Sequence, residues 1–431
     1  MPESRKNKRR ALVAAVVALC AAGGGLGVAQ VAGAIEGEHH ADRPALTVTD
    51  GWHGDNRAAL QRMIDDYGPD GDKRAKLKGN KPLAVFDWDN TVVKNDIGDA
   101  TMFWLLRHDK LRTPEDGDWR TTSRYLTAAA AKALAAACPA GRTTLPTSSD
   151  TGCADEIRTV YSDGETTAGD AAFAGFDHRR MEPQYAWLAQ LQQGWTEAQI
   201  EEFAAAARKE NLDAAVGAEQ RVGSAKVTGW VRYYEQMQDL VSTLKQADFD
   251  VWITSASPQP VLDAWVRGAG IDPERAIGIR NVHEGDVITP RLRGCGTVDD
   301  GDDAMVTYMD GKRCWINQEI LGVEGAAAEK VQPARHRQVF AAGDSDTDIA
   351  FLRDATALRL VLNRNKNEVM CRAYDDSDGR WLINPMFIEP NKQQTKSYPC
   401  ATTGYTEPDG SEAPVRREDG SVIADQEDTV F

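Results

Sequence analysis

Residues 83–91 read LAVFDWDNT and decide the fold, because four apolar residues lead directly into Asp87, Trp88 and Asp89. A short apolar run that stops at polar residues is typical of a buried strand ending in a functional loop. In an extended chain, residues i and i+2 point to the same side, so the two carboxylates would face one site. Such a pair suits divalent-cation binding, or nucleophilic attack by one carboxylate with proton transfer by the other. Taken alone, the pattern also fits an ordinary turn rich in Asp and Asn.

A second apolar run, at residues 251–258 (VWITSASP), ends at small hydroxyl residues. The Ser255 hydroxyl and the backbone N–H groups that follow it, such as that of Ala256, are suited to bind phosphate oxygens. The same pattern also fits an ordinary helix N-cap after a strand.

A third run, at residues 340–348 (FAAGDSDTD), places Asp344 and Asp348 after a glycine that permits a tight exit from the strand. Their carboxylates are available for a hard cation, and oxygen-only ligands favour Mg²⁺ over zinc. The alternative is a solvated acidic turn.

Strand and helix patterns alternate along the chain, and one long helical stretch follows the first strand. This order predicts a doubly wound parallel α/β sheet with a helical cap inserted after its first strand. Ligands of such sheets bind beyond the carboxyl ends of the strands, where all three runs end. A stretch rich in Gly, Thr, Ser, Pro and Asp, at residues 139–170, predicts a long loop. The strands are predicted at residues 83–86, 250–254, 338–342 and 358–362.

The order of the three motifs resembles that of the haloacid dehalogenase superfamily, over about residues 83–348. The resemblance implies that Asp87 is a nucleophile that becomes phosphorylated, and that Asp89 is the acid/base whose backbone carbonyl also reaches Mg²⁺. It further implies a phosphatase that acts on a small phosphomonoester, because dehalogenases lack a carboxylate two residues after the nucleophile.

The resemblance assigns the remaining positions of the site as well. Ser255 matches the hydroxyl that binds phosphate, Asp344 the metal carboxylate, and Asp348 the acid that supports the metal site. The superfamily also uses a lysine that offsets the charge of the phosphate and the nucleophile. Lys312 follows a glycine at a predicted helix start and fits this role, while Lys330 is closer in sequence to the third motif and remains a rival.

The substrate is indicated by weaker similarities. Asp96 lies where phosphoserine phosphatases place an acid that faces the substrate, although a helix N-cap explains it equally well. The DWDNT motif and residues 381–387 (WLINPMF) look like exported bacterial phosphorylcholine phosphatases, so a cationic substrate is expected. A phosphoserine phosphatase-like activity and a catalytically silent choline- or phosphate-binding protein are the alternatives. Aromatic rings suited to bind an ammonium group are offered by Trp104, Trp119, Tyr125, Trp187, Trp195, Trp230, Tyr233 and Tyr234.

The N-terminus reads as a signal peptide, because basic residues precede an apolar run that ends at Ala32-Gly33-Ala34. An uncleaved membrane anchor is the alternative, and no later segment is apolar enough to form a stable span. We therefore expect an exported protein. The predicted divisions are a signal peptide (1–34), a linker (35–50), the first part of the core (51–99), the cap (100–245), the second part of the core (246–398) and a disordered acidic tail (399–431).

Composition narrows the remaining possibilities. The chain of 431 residues is 42% hydrophobic and carries a net charge of -16, so it is globular and unsuited to bind nucleic acid through a basic face. Six cysteines follow the leader, and an even number in an exported chain predicts disulfides. The sequence leaves their pairing open, and pairing of neighbours is the simplest arrangement: 138 with 153, 295 with 314, and 371 with 400.

Overall fold

The computed structural model describes residues 43–431. The predicted signal peptide and the first part of the predicted linker lie outside these residues. The rest of the linker, at residues 43–50, has no regular secondary structure but is packed, since Leu46 is buried and Asp239 accepts hydrogen bonds from the backbone of Thr47 and Val48. Among residues 43–431, no helix combines the length and the apolar character needed to cross a bilayer.

The α-helices are α1 (Asn56–Tyr67), α2 (Ile97–Arg107), α3 (Ala128–Ala137), α4 (Thr151–Asp163), α5 (Pro183–Gln190), α6 (Glu197–Asp213), α7 (Glu235–Gln246), α8 (Gln259–Val266), α9 (Asp310–Glu319), α10 (Ile349–Asp354) and α11 (Asn367–Asp375). The strands are β1 (Leu83–Phe86), β2 (Val93–Lys94), β3 (Glu219–Val222), β4 (Ala225–Thr228), β5 (Arg232–Tyr233), β6 (Asp250–Pro258), β7 (Ala276–Ile279), β8 (Asn281–Glu284), β9 (Val287–Leu292), β10 (Phe340–Gly343), β11 (Leu358–Asn363), β12 (Trp381–Pro385), β13 (Tyr405–Thr406) and β14 (Glu412–Ala413).

Six of these strands form the central sheet, in the order β12-β11-β10-β1-β6-β7, with every neighbouring pair parallel. The four strands predicted from the sequence all belong to it. The prediction of a parallel α/β sheet is therefore confirmed, and β1 lies at its centre, between the strands that carry the other two motifs.

Both faces of the sheet are covered by helices. Apolar side chains of each strand point alternately to the two faces, so both faces must be buried. In β1, Ala84 and Phe86 join a core formed with α1, α7 and α8, while Leu83 and Val85 join a core formed with α9, α10 and α11. Burial on both faces fixes the register of the sheet, because a one-residue slip would turn every side chain to the wrong core.

Helices α2 to α6, together with the β3-β4 hairpin, lie between β1 and β6 in the chain and have an apolar core of their own. Here the prediction of a long loop at 139–170 is wrong, because α4 occupies Thr151–Asp163. Asp150 caps this helix by accepting a hydrogen bond from the backbone of Cys153, and Ile157 and Val160 are fully buried. The spacing of these apolar residues outweighs the polar composition of the stretch.

The prediction of a disordered tail is also contradicted. Cys400, Val415 and Ile423 belong to the core on the α9–α11 side of the sheet. The Tyr398 backbone N–H donates to the Gln426 carbonyl at 2.8 Å. Few apolar residues suffice to order this segment, because a disulfide already ties it to the core.

Three disulfides join the six cysteines: Cys138–Cys153, Cys295–Cys314 and Cys371–Cys400. The simplest pairing, between neighbours in sequence, is therefore confirmed. The first bridge joins α3 to α4, the second ties a loop to α9, and the third fixes the tail to α11.

Candidate active site

The three motifs meet because they end on adjacent strands. Phe86, the last residue of β1, is in register with Ile253 of β6 on one side and with Ala342 of β10 on the other. The backbone N–H of Asp87 still donates to the carbonyl of Ala342, at 2.9 Å, so the nucleophile candidate is held at the edge of the sheet.

Lys312 reaches the site from α9. Its ammonium group lies 2.6 Å from Oδ1 of Asp87 and 2.7 Å from Oδ1 of Asp348, and its side chain is completely buried. The rival, Lys330, contributes its backbone carbonyl to Asn317. Of the two lysines, the structure brings Lys312 to the predicted site.

A strained turn directs Lys312 inward. Met309 precedes α9 with φ 43° and ψ -114°, a backbone conformation that residues other than glycine rarely adopt. Its N–H donates to the carbonyl of Thr347 in the third motif, at 2.9 Å, so α9 begins against the loop that carries Asp344 and Asp348.

Burial has the largest effect on the pKa values of Asp87 and Lys312. Loss of solvent raises the pKa of Asp87 well above its ordinary value, and repulsion from Asp348 adds to this, while Lys312 acts in the opposite direction. Burial disfavours the charged ammonium of Lys312, but attraction by Asp348 and Asp87 prevails and its pKa is raised. The lysine is therefore cationic and the carboxylates depend on it.

Asp87, Asp344 and Asp348 each present a carboxylate oxygen, and these three atoms lie within 4.8 Å of one another. Asp348 is already well supplied with donors: one oxygen accepts from Lys312, and the other accepts from the backbone N–H groups of Asp344 and Ser345, at 2.9 and 3.1 Å. It is placed to fix the loop and the lysine, whereas Asp87 and Asp344 line a small adjoining cavity.

The donor set fits a hard divalent cation. The hydroxyl of Thr91 lies 3.0 Å from Asp87 Oδ2 and 3.1 Å from Asp344 Oδ1, but it has a single hydrogen to donate. The second contact therefore needs a proton from one of the two carboxyl groups, unless a cation between Asp87 and Asp344 offsets their charge instead. All three candidate ligands are oxygens, which Mg²⁺ prefers.

The side chain of Asp89 points away from this group. Its Oδ2 accepts hydrogen bonds from Ser257 at 2.8 Å and Ser255 at 3.2 Å, and its Oδ1 accepts from the backbone N–H of Ile97 at 2.8 Å. Burial, followed by repulsion from Asp96, raises the pKa of Asp89 well above its ordinary value. A raised pKa favours the protonated form that a general acid requires, whereas the three hydrogen bonds that Asp89 accepts favour the carboxylate.

Ser255, the predicted phosphate-binding hydroxyl, is fully buried in β6 and also accepts the backbone N–H of Ser257 at 3.1 Å. A small cavity of about 40 Å³ beside Asp87 is lined instead by Ala256 and Ser257. Ser257 was not singled out from the sequence, because a run of small residues does not reveal which one faces the ligand. It is a second hydroxyl candidate for contact with phosphate.

This small cavity, which we call the nucleophile cavity, adjoins a larger chamber of about 370 Å³ between the inserted helices and the sheet. Four residues line both spaces: Asp96, Tyr161, Tyr185 and Arg364. The chamber wall is largely polar and acidic. Its other lining residues include Asn90, Asn95, Asp99, Glu182, Gln184, Asn211, Thr228 and Trp230.

Asp96 has both of the roles that the sequence left open, a helix cap and a position facing the cavity. Its carboxylate accepts the backbone N–H of Asp99 at 3.0 Å and so caps α2, yet it lines both cavities. Burial raises the pKa of Asp96, and burial with repulsion from Asp96 raises the pKa of Asp99 to about 7. Burial raises the pKa of Glu182 to about 7 as well. An organic cation bound in the chamber would stabilise the carboxylate forms of these acids.

Of the eight cap aromatics considered from the sequence, Trp230 lines the chamber, while residues such as Trp119, Trp187 and Tyr234 are buried in the core. Tyr161 and Tyr185, which do line it, were missed. Both lie on helices whose cavity-facing side could not be recognised before the cap was assembled.

Comparisons with known proteins identify a likeness at the level of the fold. No protein-family model matches the chain, and no curated protein does. A conserved protein of unknown function from Anaerococcus prevotii DSM 20548 is similar in structure, with 15% identity over 78% of this chain and 92% of that one, at a TM-score of 0.50. A protein of unknown function from Bordetella pertussis Tohama I has 15% identity over 71% and 99%, at a TM-score of 0.42.

A substrate-bound phosphoserine phosphatase is also similar, with 12% identity over 66% of this chain and 86% of that one, at a TM-score of 0.29. Identities this low concern the fold alone. The chain therefore has the predicted parallel α/β sheet, with helices inserted after β1 and the three motifs at neighbouring strand ends, and it shares its fold with the Anaerococcus protein.

Proposed function

We propose that the protein is an exported, Mg²⁺-dependent phosphomonoesterase that hydrolyses a small organic phosphate through a phosphorylated Asp87. The observation that carries the proposal is the contact between Asp87 and Lys312, beside Asp344 and a small cavity of about 40 Å³. A protein that only binds phosphate would not need a carboxyl group placed as Asp89 is, and this disfavours the silent binding protein.

The residues divide the reaction into two steps. Asp87 attacks phosphorus, the bond from phosphorus to the ester oxygen breaks, and Asp89 gives its proton to the leaving alkoxide. Asp89, now a carboxylate, takes a proton from a water molecule that attacks the phosphoryl group, which regenerates Asp87 and releases phosphate. Lys312 offsets the negative charge that the phosphoryl group and the nucleophile share.

A divalent cation would be held by Asp87 and Asp344, with Asp348 fixing the surrounding loop. When bound, it supplies positive charge to the phosphoryl oxygens. The backbone carbonyl of Asp89 remains a proposed additional ligand, on the resemblance stated above.

The acidic chamber favours a substrate with a positively charged organic group, such as phosphorylcholine. Asp96, Asp99 and Glu182 are acids whose carboxylate forms a bound cation would stabilise, while Tyr185 and Trp230 supply aromatic surface. Aromatic faces and carboxylates are the usual partners of ammonium groups. The same acids would also accept the amine of phosphoserine, so that substrate remains the named alternative.

Export is supported by the three disulfides, which persist in oxidising compartments outside the cytoplasm. The proposed signal peptide, residues 1–34, is consistent with this location on sequence grounds alone.

Phosphate release from a panel of phosphomonoesters, with Mg²⁺ and with EDTA, tests the proposal. Release that requires Mg²⁺ and is fastest with phosphorylcholine supports the reaction and the cationic substrate together. If phosphate is released fastest from phosphoserine or sugar phosphates, the proposed reaction stands but the preference for phosphorylcholine is refuted. Absence of release from every member, including activated aryl phosphates, contradicts the phosphatase assignment.

A further inference from the structure

Arg364 occupies a position in the site that the sequence did not predict. It follows β11, the neighbour of β10 in the sheet, so it extends from the strand end next to the one that carries Asp344. One guanidinium nitrogen, Nη1, donates to Oδ2 of Asp344 at 2.7 Å. Asp344 is almost fully buried, whereas 32% of the Arg364 side chain remains exposed.

The guanidinium keeps most of its donors available. It has five N–H groups in a planar fork, and within residues 43–431 the bond to Asp344 is its one hydrogen bond to the protein. The contact with Asp344 also fixes its orientation. A held guanidinium with unused donors is suited to bind a second oxyanion side by side with the first.

The location of Arg364 indicates which oxyanion it would bind. Arg364 lines both the chamber and the nucleophile cavity, and it is the one lysine or arginine on either wall in the described part of the chain. A phosphomonoester that enters from the chamber meets Asp96, which lines both cavities, and Asp344, which lines the smaller one, and both acids repel its negative charge. Arg364 is the group at this junction that can offset the repulsion.

We propose that Arg364 binds the phosphate group of the incoming phosphomonoester through its free N–H groups while Nη1 stays on Asp344. It is then a substrate-binding residue that brings the dianion past the acids to Asp87 and Lys312. The identity of the anion rests on the proposed function, but the binding itself does not depend on turnover.

A purely structural role makes a different prediction. If Arg364 only orients Asp344, its loss weakens the binding of Mg²⁺ and leaves phosphate binding unchanged once Mg²⁺ is saturating. If it binds phosphate, the affinity for phosphate falls even at saturating Mg²⁺, and the affinity for Mg²⁺ changes little.

The test uses the mature full-length protein and inorganic phosphate as the probe, with calorimetry in saturating Mg²⁺ and a separate Mg²⁺ titration. We expect Arg364→Met to weaken phosphate binding by about 10- to 100-fold, as for loss of a charge-assisted hydrogen bond. Arg364→Lys should recover only part of this, because an ammonium lacks the planar fork. The Mg²⁺ affinity should change by less than about threefold on the same scale.

Arg120→Met is the matched control, since Arg120 pairs with Asp118 at 2.6 Å on the exposed surface, away from both cavities. Circular dichroism shows whether each variant is folded. If Arg364→Met does not fold, the phosphate affinity of Arg364→Lys still tests the proposal. The proposal is overturned if the phosphate affinity of Arg364→Met lies within twofold of that of the wild type. It is also overturned if neither protein binds phosphate. Arg364-dependent phosphate binding without hydrolysis of any phosphomonoester supports it while refuting the phosphatase assignment.

Discussion

The ammonium group of Lys312 lies 2.6 Å from the Asp87 carboxylate, with both side chains almost completely removed from solvent. Asp348 contacts the same ammonium at 2.7 Å. One lysine therefore compensates two buried carboxylates, so we expect it to stabilise the fold as well as to serve the proposed reaction.

Replacement of Lys312 by Met should impair both properties. Two carboxylates would be left unpaired in the interior, so the free energy of unfolding should fall by about 3–5 kcal/mol. Turnover should fall by about 10²- to 10³-fold or more, because the transferring phosphoryl group loses a fixed positive charge. Urea unfolding and phosphate release measure the two effects. Lys330→Met is the control, and an equal loss in both variants would refute the assignment to Lys312.

The two roles of Asp96 can be separated by substitution. Asp96→Asn removes the charge but keeps a side chain that caps helices well, whereas Asp96→Ala removes both and should cost about 1 kcal/mol of stability. We expect Asp96→Asn to retain the melting temperature while raising KM for phosphorylcholine about tenfold, with little change for a neutral sugar phosphate. The same rise in KM for both substrates would show that Asp96 does not recognise the ammonium group.

The pH dependence of stability should report on Glu182. Its pKa is raised from 4.5 to about 7, so the folded protein holds this proton more tightly than the unfolded chain does. The resulting stabilisation is complete below pH 4.5 and is lost as the pH rises towards 7. Glu182→Gln stays neutral, and at pH 8 it should be more stable than the wild type by an amount on the order of 1 kcal/mol.

Thermal unfolding at pH 4 and pH 8 measures this difference. Glu202→Gln, at an exposed position on α6, serves as the comparison and should leave the pH profile of the wild type unchanged. If Glu182→Gln has the same profile as the wild type, Glu182 does not hold its proton in the folded protein.

The C-terminal segment should be an integral part of the core. Its disulfide closes a loop with a sequence separation of 29 residues, and its loss in Cys371→Ala/Cys400→Ala should cost about 2–4 kcal/mol. Limited proteolysis should then cleave residues 401–431 rapidly. The variant Cys138→Ala/Cys153→Ala, which opens the bridge between α3 and α4, should leave the tail protected. Rapid cleavage of the tail in the wild type would contradict its packing.

Much of the site was accessible from the sequence, because it is built from short segments that behave alike. Each motif is an apolar strand that stops at polar residues, and parallel strands bring their carboxyl ends together. Lys312 could be chosen because a glycine precedes it at the start of a helical pattern. Each motif can be recognised from a few neighbouring residues, and the parallel sheet then brings the three motifs close together.

The residues that were missed depend on contacts between distant segments. Arg364 follows a strand in a polar loop, and nothing local distinguishes it from a solvated arginine until β11 is placed beside β10. Ser257 and Ser255 are both small hydroxyl residues in a stretch where the register between β6 and β7 shifts, so simple alternation does not predict which of them lines the cavity. The tail was predicted to be disordered from its polar and acidic composition, although the predicted pairing of Cys371 with Cys400 already indicated an attachment to the core.

The central claim is that Asp87 carries the phosphoryl group during turnover. The most direct measurement is a rapid acid quench of the Mg²⁺-loaded protein with a ³²P-labelled phosphomonoester, followed by location of the label in the digested chain. We expect label on Asp87 and none in Asp87→Asn. With an aryl phosphate, whose leaving group needs no proton, we expect more label in Asp89→Asn, because only the second step is then slowed. Turnover with label on another residue, or turnover that persists in Asp87→Asn, would contradict the central claim.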